Sequence, residues 1–316
     1  MRGRREPRDR EPPAVPLPPL ADLHRHLDGA VRRTTLEELA RARGRSLRQD
    51  LWLRPGLGLE RVLSRLRLVL EHLQEPATVR RVAAEACEDA AAEGVTTLEL
   101  RLAPQLHRGG PPEEVVDAAL DGVAGRAGLV LCGLHGEPPA VLEGLVELAA
   151  GRPGVVGIDL AGAPSPEHRW ILESYARAFR RARDLGLGRT VHAGEGRTAE
   201  EVEWAVEALG ATRVGQATTL ADDPDVLALV VARGVVVEVC PTSNLHAECV
   251  ASFDEHPLGR LLDAGVRVTI GTDHPTLAGT DAPAEYRRAL ALPGVGPTRL
   301  AALVATGHEA AFRRGG

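Results

Sequence analysis

A chain of 316 residues that is 44% hydrophobic but only 3% aromatic can bury one large core packed mainly by aliphatic side chains. Its basic residues are all Arg, with no Lys anywhere, which excludes a Schiff-base lysine, a P-loop lysine and a carbamylated lysine bridging two metals. The net charge of −6, with Arg spread along amphipathic segments rather than gathered in a patch, argues against nucleic acid as the main partner.

In chain order, residues 1–19 form an Arg/Pro-rich stretch without the apolar run of a signal peptide, and they read as a disordered leader. No apolar run reaches membrane-spanning length. Cys87, Cys132, Cys240 and Cys249 form no CxxC pair, which suits reduced thiols in the cytoplasm. Residues 20–316 read as a single domain. Apolar runs at 21–26, 95–102, 128–134, 154–162, 189–195, 212–217, 235–241 and 266–273 are strand candidates rich in Val, Ile, Leu and Thr. Thr34-Thr35-Leu36-Glu37 reads as a capping box opening a helix over 36–43. Helical periodicity continues at 59–73 and 77–94, two extra helices inserted after the first strand. Further helices are expected at 112–123, 140–150, 166–186, 199–210, 224–234 and 256–265. Strands alternating with helices in this number point to an α/β fold, a closed (β/α)8 TIM barrel. A doubly wound sheet is disfavoured because no glycine-rich G-x-G-x-x-G turn follows the first strand.

In such a barrel, chemistry gathers at the C-terminal ends of the strands. Strand one ends in His24-Arg25-His26, and period-two alternation sends both imidazoles to one side while Arg25 faces away in a structural role. Strand five ends in His192-Ala193-Gly194-Glu195, strand six in Gln216, strand seven runs into Thr242-Ser243-Asn244, and strand eight ends in Asp273-His274. Singly, each has an ordinary structural explanation, such as a turn cap or a hydrogen-bonded strand end. Together, three imidazoles and a carboxylate are a donor set that Zn²⁺ prefers, with a position left open for water.

The segments HRHLDGA (24–30), VHAGE (191–195), EVCPTSN (238–244) and TIGTDHP (269–275), joined by LELRLAP (98–104) and VVGIDLAG (155–162), resemble the adenosine deaminase family of zinc hydrolases over nearly the whole chain from residue 20. The resemblance implies one Zn²⁺ per chain held by His24, His26, His192 and Asp273. It also implies Glu195 as the carrier of a proton to the purine ring nitrogen beside the attacked carbon. Gly162 would offer its backbone amide to the purine and Asp28 would hold the ribose, with His26 also on the substrate side. The substrate implied is a small purine nucleoside. The Cys-ligated deaminases, with their H-x-E and P-C-x-x-C signatures, are a different class.

Two positions depart from the family pattern. Gln216 stands where a His usually orients the attacking hydroxide; its amide can donate a hydrogen bond but cannot exchange a proton. His274 stands where an Asp usually meets the imidazole side of the purine; a neutral His keeps an N–H donor there, or takes over proton transfer from the missing strand-six His. The leading expectation is therefore an adenosine-type deaminase in which Glu195, Gln216 and His274 are catalytic and His274 also binds substrate. A same-fold zinc hydrolase of another amino-heterocycle, or an impaired nucleoside-binding homologue, are the alternatives. The sequence says nothing of oligomeric state.

Overall fold

A computed structural model describes residues 15–165, 167–169 and 171–313. Among them, eight strands follow one another in a single sheet: β1 (Leu20–His26), β2 (Val95–Leu102), β3 (Gly128–Leu134), β4 (Val155–Ala161), β5 (Gly188–Ala193), β6 (Arg213–Gln216), β7 (Val236–Val239) and β8 (Arg267–Ile270). Each pairs in parallel with its neighbour in sequence. The ring closes where Arg25 bridges Asp273, with Asp273 N–H donating to His24 O at 2.7 Å and His26 N–H donating to Asp273 O at 2.8 Å. This is the (β/α)8 barrel expected. Strands such as VVEV and RVTI are apolar in near-continuous runs because helices cover the outside while side chains fill the interior.

The helices are α1 (Arg33–Ala42), α2 (Leu59–Leu70), α3 (Pro76–Ala92), α4 (Pro112–Val123), α5 (Pro139–Ala150), α6 (Ala176–Asp184), α7 (Glu200–Glu207), α8 (Pro224–Arg233), α9 (Pro241–His246), α10 (Leu258–Asp263), α11 (Pro275–Ala278), α12 (Ala282–Ala291) and α13 (Leu300–Ala310). The inserted pair is α2 and α3; α13 packs across β8 and β1 and covers the closure.

Four local expectations change. The capping box does not form: α1 begins at Arg33, with Arg32 as an N-cap that makes no side-chain capping bond. Thr34 is thus the second residue of the helix and not its cap, and Glu37 pairs with Arg33 at 2.9 Å. The helix expected over 166–186 is regular only from Ala176, after a short 3-10 turn at Leu172–Tyr175. Tyr175 is held by Glu137 O, to which its hydroxyl donates at 2.8 Å, and His168 ahead of it lines the cavity at the barrel mouth. Strand eight stops at Ile270, which leaves Asp273 and His274 on the loop beyond it. Thr242-Ser243-Asn244 lies in α9, not on a strand extension. Of the expected leader, residues 1–14 lie outside the described residues, while Val15 and Leu17 pack against the core.

Candidate metal centre and active site

His24 and His26, alternate residues on β1, both face the barrel mouth, and His192 joins them from β5. Gly215 on β6 is glycine because a Cβ there would sit 2.8 Å from the His24 ring. Two buried carboxylates set the orientation of two rings. Glu238 of β7 lies 2.8 Å from His24 Nδ1, and Asp159 of β4 lies 3.1 Å from His192 Nδ1. Although burial pushes Glu238 up, Arg101 and Arg213 hold it below the usual carboxylate range. Burial also opposes ionisation of Asp159, but His192 and Arg101 hold it well down. Both acids are therefore ionised acceptors, so each Nδ1 is the N–H donor and each Nε2 is turned into the cluster, carrying a lone pair when its ring is neutral.

Those nitrogens meet. His24 Nε2 and His192 Nε2 lie 3.1 Å apart, and His26 Nε2 lies 3.3 Å from His192 Nε2. Although burial opposes it, the Asp159 carboxylate raises the pKa of His192, so without an ion this ring can hold a proton between the two Nε2 atoms, which a shared cation would displace. Asp273 completes the group: its Oδ1 is buried without a hydrogen-bond donor, 3.6 Å from His24 Nε2 and 3.4 Å from His26 Nε2. One atom from each of the four residues lies within 4.8 Å of all the others. Burial, then Arg101, lowers the pKa of His24, while burial, then His274, lowers that of His26 well below normal, so both imidazoles are neutral as ligation requires. Three imidazole nitrogens and one bare carboxylate oxygen fit a divalent, borderline-soft ion.

Asp273 sits in the left-handed region at φ +58, strain that a functional position can hold when its surroundings fix it. Its Oδ2 accepts from Gln216 Nε2 at 3.1 Å and from Ser243 Oγ. Arg101 of β2 links the two supporting acids: one nitrogen donates to Asp159 at 2.8 Å and another donates to Glu238.

Beside the cluster opens a cavity of about 220 Å³ lined by Asp28, Gly162, Glu195 and His274 among others, with the apolar face of α2 as its outer wall. Burial pushes Glu195 up to about 7, with the His192 charge acting against the shift, so its carboxyl exchanges a proton near neutrality. Burial likewise raises Asp28. Gly162, at φ +76 with open space where a Cβ would be, presents bare backbone to the cavity. The His274 ring fits where it does because position 29 is glycine, whose Cβ would lie 2.3 Å from Nδ1. That Nδ1 is buried without a partner.

The candidate residues thus gather about one cavity, apart from His24, which is fully buried beneath it, and Gln216, which does not line it and instead stands behind Asp273. Arg25 faces away as expected, donating to Asp22 at 2.8 Å and to Glu93 at 2.5 Å. The roles of Arg101, Asp159 and Glu238 were missed. Their signal was a charge on an otherwise apolar strand, as in LELRL, GIDL and VVEV.

Residues 19–314 match the family model described as Adenosine deaminase. A curated relative, the adenosine deaminase of Shewanella denitrificans, is 36% identical over 313 residues, covering 93% of this chain and 94% of its own. The chain belongs to the adenosine deaminase family. Solved structures agree in fold. An amidohydrolase from Burkhoderia ambifaria, with bound Zn, superimposes at TM-score 0.84 with 26% identity, over 94% of this chain and 86% of its own. Arabidopsis ADAL complexed with IMP gives TM-score 0.82 with 26% identity, over 92% and 91%. The (β/α)8 barrel, the family and the hydrolytic deaminase class therefore stand together.

Proposed function

We propose that this member of the adenosine deaminase family is a zinc-dependent hydrolase that removes the exocyclic amine of adenosine or a related aminopurine nucleoside in the cytoplasm, with one Zn²⁺ per chain. The observation that carries it is Glu195, a buried acid with a pKa near 7, on the same cavity as the four converging metal-ligand atoms. His24, His26, His192 and Asp273 would hold the ion. When bound, it supplies Lewis acidity and a water-derived nucleophile at neutral pH.

The remaining work falls to the chain. Water adds its oxygen to the amino-bearing ring carbon, and Glu195 gives its proton to the adjacent ring nitrogen, so negative charge does not build up on the purine. The proton lost by water is accepted at a carboxylate, either Asp273 or the now ionised Glu195. Transfer of that proton to the amine lets the C–N bond break and ammonia leave, while the remaining hydroxyl proton returns to the Glu195 carboxylate and a ring carbonyl remains. The Gly162 amide and Asp28 orient the purine and ribose, which converts binding into alignment. His274, with its unpaired Nδ1 and its Nε2 3.2 Å from Asp273 Oδ1, is placed to meet a ring nitrogen of the substrate. This substituted residue is also what favours a second reading, a related amino-heterocycle in place of adenosine.

The test is ammonia release by the zinc-loaded protein from adenosine, deoxyadenosine, adenine and modified aminopurine nucleosides, beside Glu195→Gln. We expect turnover of a nucleoside, reduced at least about 10²-fold in the variant. Silence across the panel with zinc bound would remove the aminopurine assignment.

A further inference from the structure

Gln216 is a buried amide at the end of β6 that does not line the cavity, and its backbone is costly: φ is +71 at Gln216 and +44 at Ala217. Consecutive left-handed conformations outside glycine are strained and persist only where the surroundings impose them. The hydrogen bonds behind Gln216 account for what is imposed. Leu258 N–H donates to His256 Nδ1 at 3.1 Å. A backbone amide can only donate, so Nδ1 is the acceptor and the ring proton of neutral His256 resides on Nε2. His256 Nε2 lies 3.2 Å from Asn244 Oδ1 and donates to it. This fixes the orientation of the Asn244 amide, whose Nδ2 donates to Gln216 Oε1 at 2.6 Å. Gln216 Nε2 then donates to Asp273 Oδ2 at 3.1 Å. All four side chains are at least 95% buried, so water does not substitute for any link.

We infer that Gln216 is a positioning residue, the last member of a one-way hydrogen-bond relay from Leu258 N–H through His256 and Asn244 that fixes the Asp273 carboxylate and presents its Oδ1 to the metal. The inference rests on the metal-centre reading above. The relay has polarity: every amide is forced into one of its two flips by the link before it, and the first link is backbone. Asp273 Oδ2 consequently receives two donors, from Gln216 and Ser243, while Oδ1 receives none. The carboxylate cannot rotate without exchanging satisfied and bare oxygens. Gln216 thus contributes orientation of a ligand, a task for which an amide suffices.

The experiment measures zinc affinity of the full chain by chelator competition at pH 8, with unfolding of the metal-free protein followed in parallel. Asn244→Asp is isosteric but replaces the donor to Gln216 by an acceptor, which drives the Gln216 amide to flip and turns Oε1 toward Asp273. We expect zinc affinity to fall about 10–100-fold, the range for lost support of a metal ligand. Asn244→Leu removes the link yet leaves Gln216 free to keep its N–H on Asp273, so its loss should be under about threefold. Equal losses in the two variants, or none, would overturn the relay, because position 244 would then only fill space. Should Asn244→Asp not fold, the isosteric pair His256→Gln and His256→Glu asks the same question one link back. Gln keeps a donor for Asn244 and should bind zinc more tightly; equality within the pair overturns the inference. A wild-type chain that takes up no zinc defeats the metal-centre reading itself, a result distinct from any difference between variants.

Discussion

At the scale of single residues, the site is made by burying groups that prefer water. Glu195 shows this most directly. Its carboxyl is raised by burial from the ordinary 4.5 to about 7, despite the opposing charge of His192. Between those two pH values the folded chain holds a proton that the unfolded chain has released, so stability falls as pH rises through this window. Above about pH 7 the full cost of the buried carboxylate is present, on the order of 3 kcal/mol from the size of the shift. Glu195→Gln removes that cost along with the proposed proton carrier. In metal-free protein the variant should melt several degrees above wild type at pH 8 and level with it near pH 4.5. Equal melting temperatures at pH 8 would mean that ionisation of Glu195 is not opposed by the fold. Function and stability conflict at this residue, as expected where a proton must be exchanged near neutrality.

At the scale of elements, the barrel was legible because its strands are short aliphatic runs separated by amphipathic helices, a pattern that packing on both faces of a parallel sheet demands. What was not legible was short or local. The helices α9 and α11 span fewer than two turns and begin with Pro241 and Pro275 just beyond strands, too little sequence for a period to show. The expected helix over 166–186 failed in its first half because apolar residues there do not all face a core; Ile171 is 60% exposed. The floor of the barrel was also unreadable, since it depends on a residue far along the chain. After α13, the Phe312 ring lies over the Arg213 guanidinium at 3.5 Å, in space left by Gly157 and Gly188. Phe312 N–H donates to Glu99 at 2.6 Å, and Arg213 donates to Ala310 O at 2.8 Å. Phe312→Ala should therefore lower stability by about 2–3 kcal/mol, below the range for a fully buried ring because Phe312 is only partly buried. Thermal melting checks this, and an unchanged midpoint would show that the C-terminal segment is no part of the floor. Zinc affinity should change little, because Arg101 still braces Glu238 from the other side.

At the scale of the whole molecule, the candidate site was legible only in its innermost layer. His24, His26, His192 and Asp273 stand at or just past strand ends, where barrel geometry gives them meaning. The supporting layer is dispersed: Arg101, Asp159 and Glu238 come from three different strands, and nothing in their spacing announces that one arginine braces the partners of two histidines. The barrel interior is thus a charged lattice assembled from most of its strands, and its open end is four ligand atoms facing one another. Without an ion that end contains a buried carboxylate oxygen lacking a donor, which costs stability. A divalent ion there ties β1, β5 and the loop after β8 together and binds only the folded chain. By mass action, free zinc at 100 times its dissociation constant stabilises by about 2.7 kcal/mol. Chelation should accordingly lower the melting temperature by several degrees, and added zinc should restore it in proportion to the logarithm of its free concentration. A midpoint indifferent to both chelator and zinc would mean the four residues do not hold an ion in the folded protein, and the proposed hydrolytic chemistry would lose its centre.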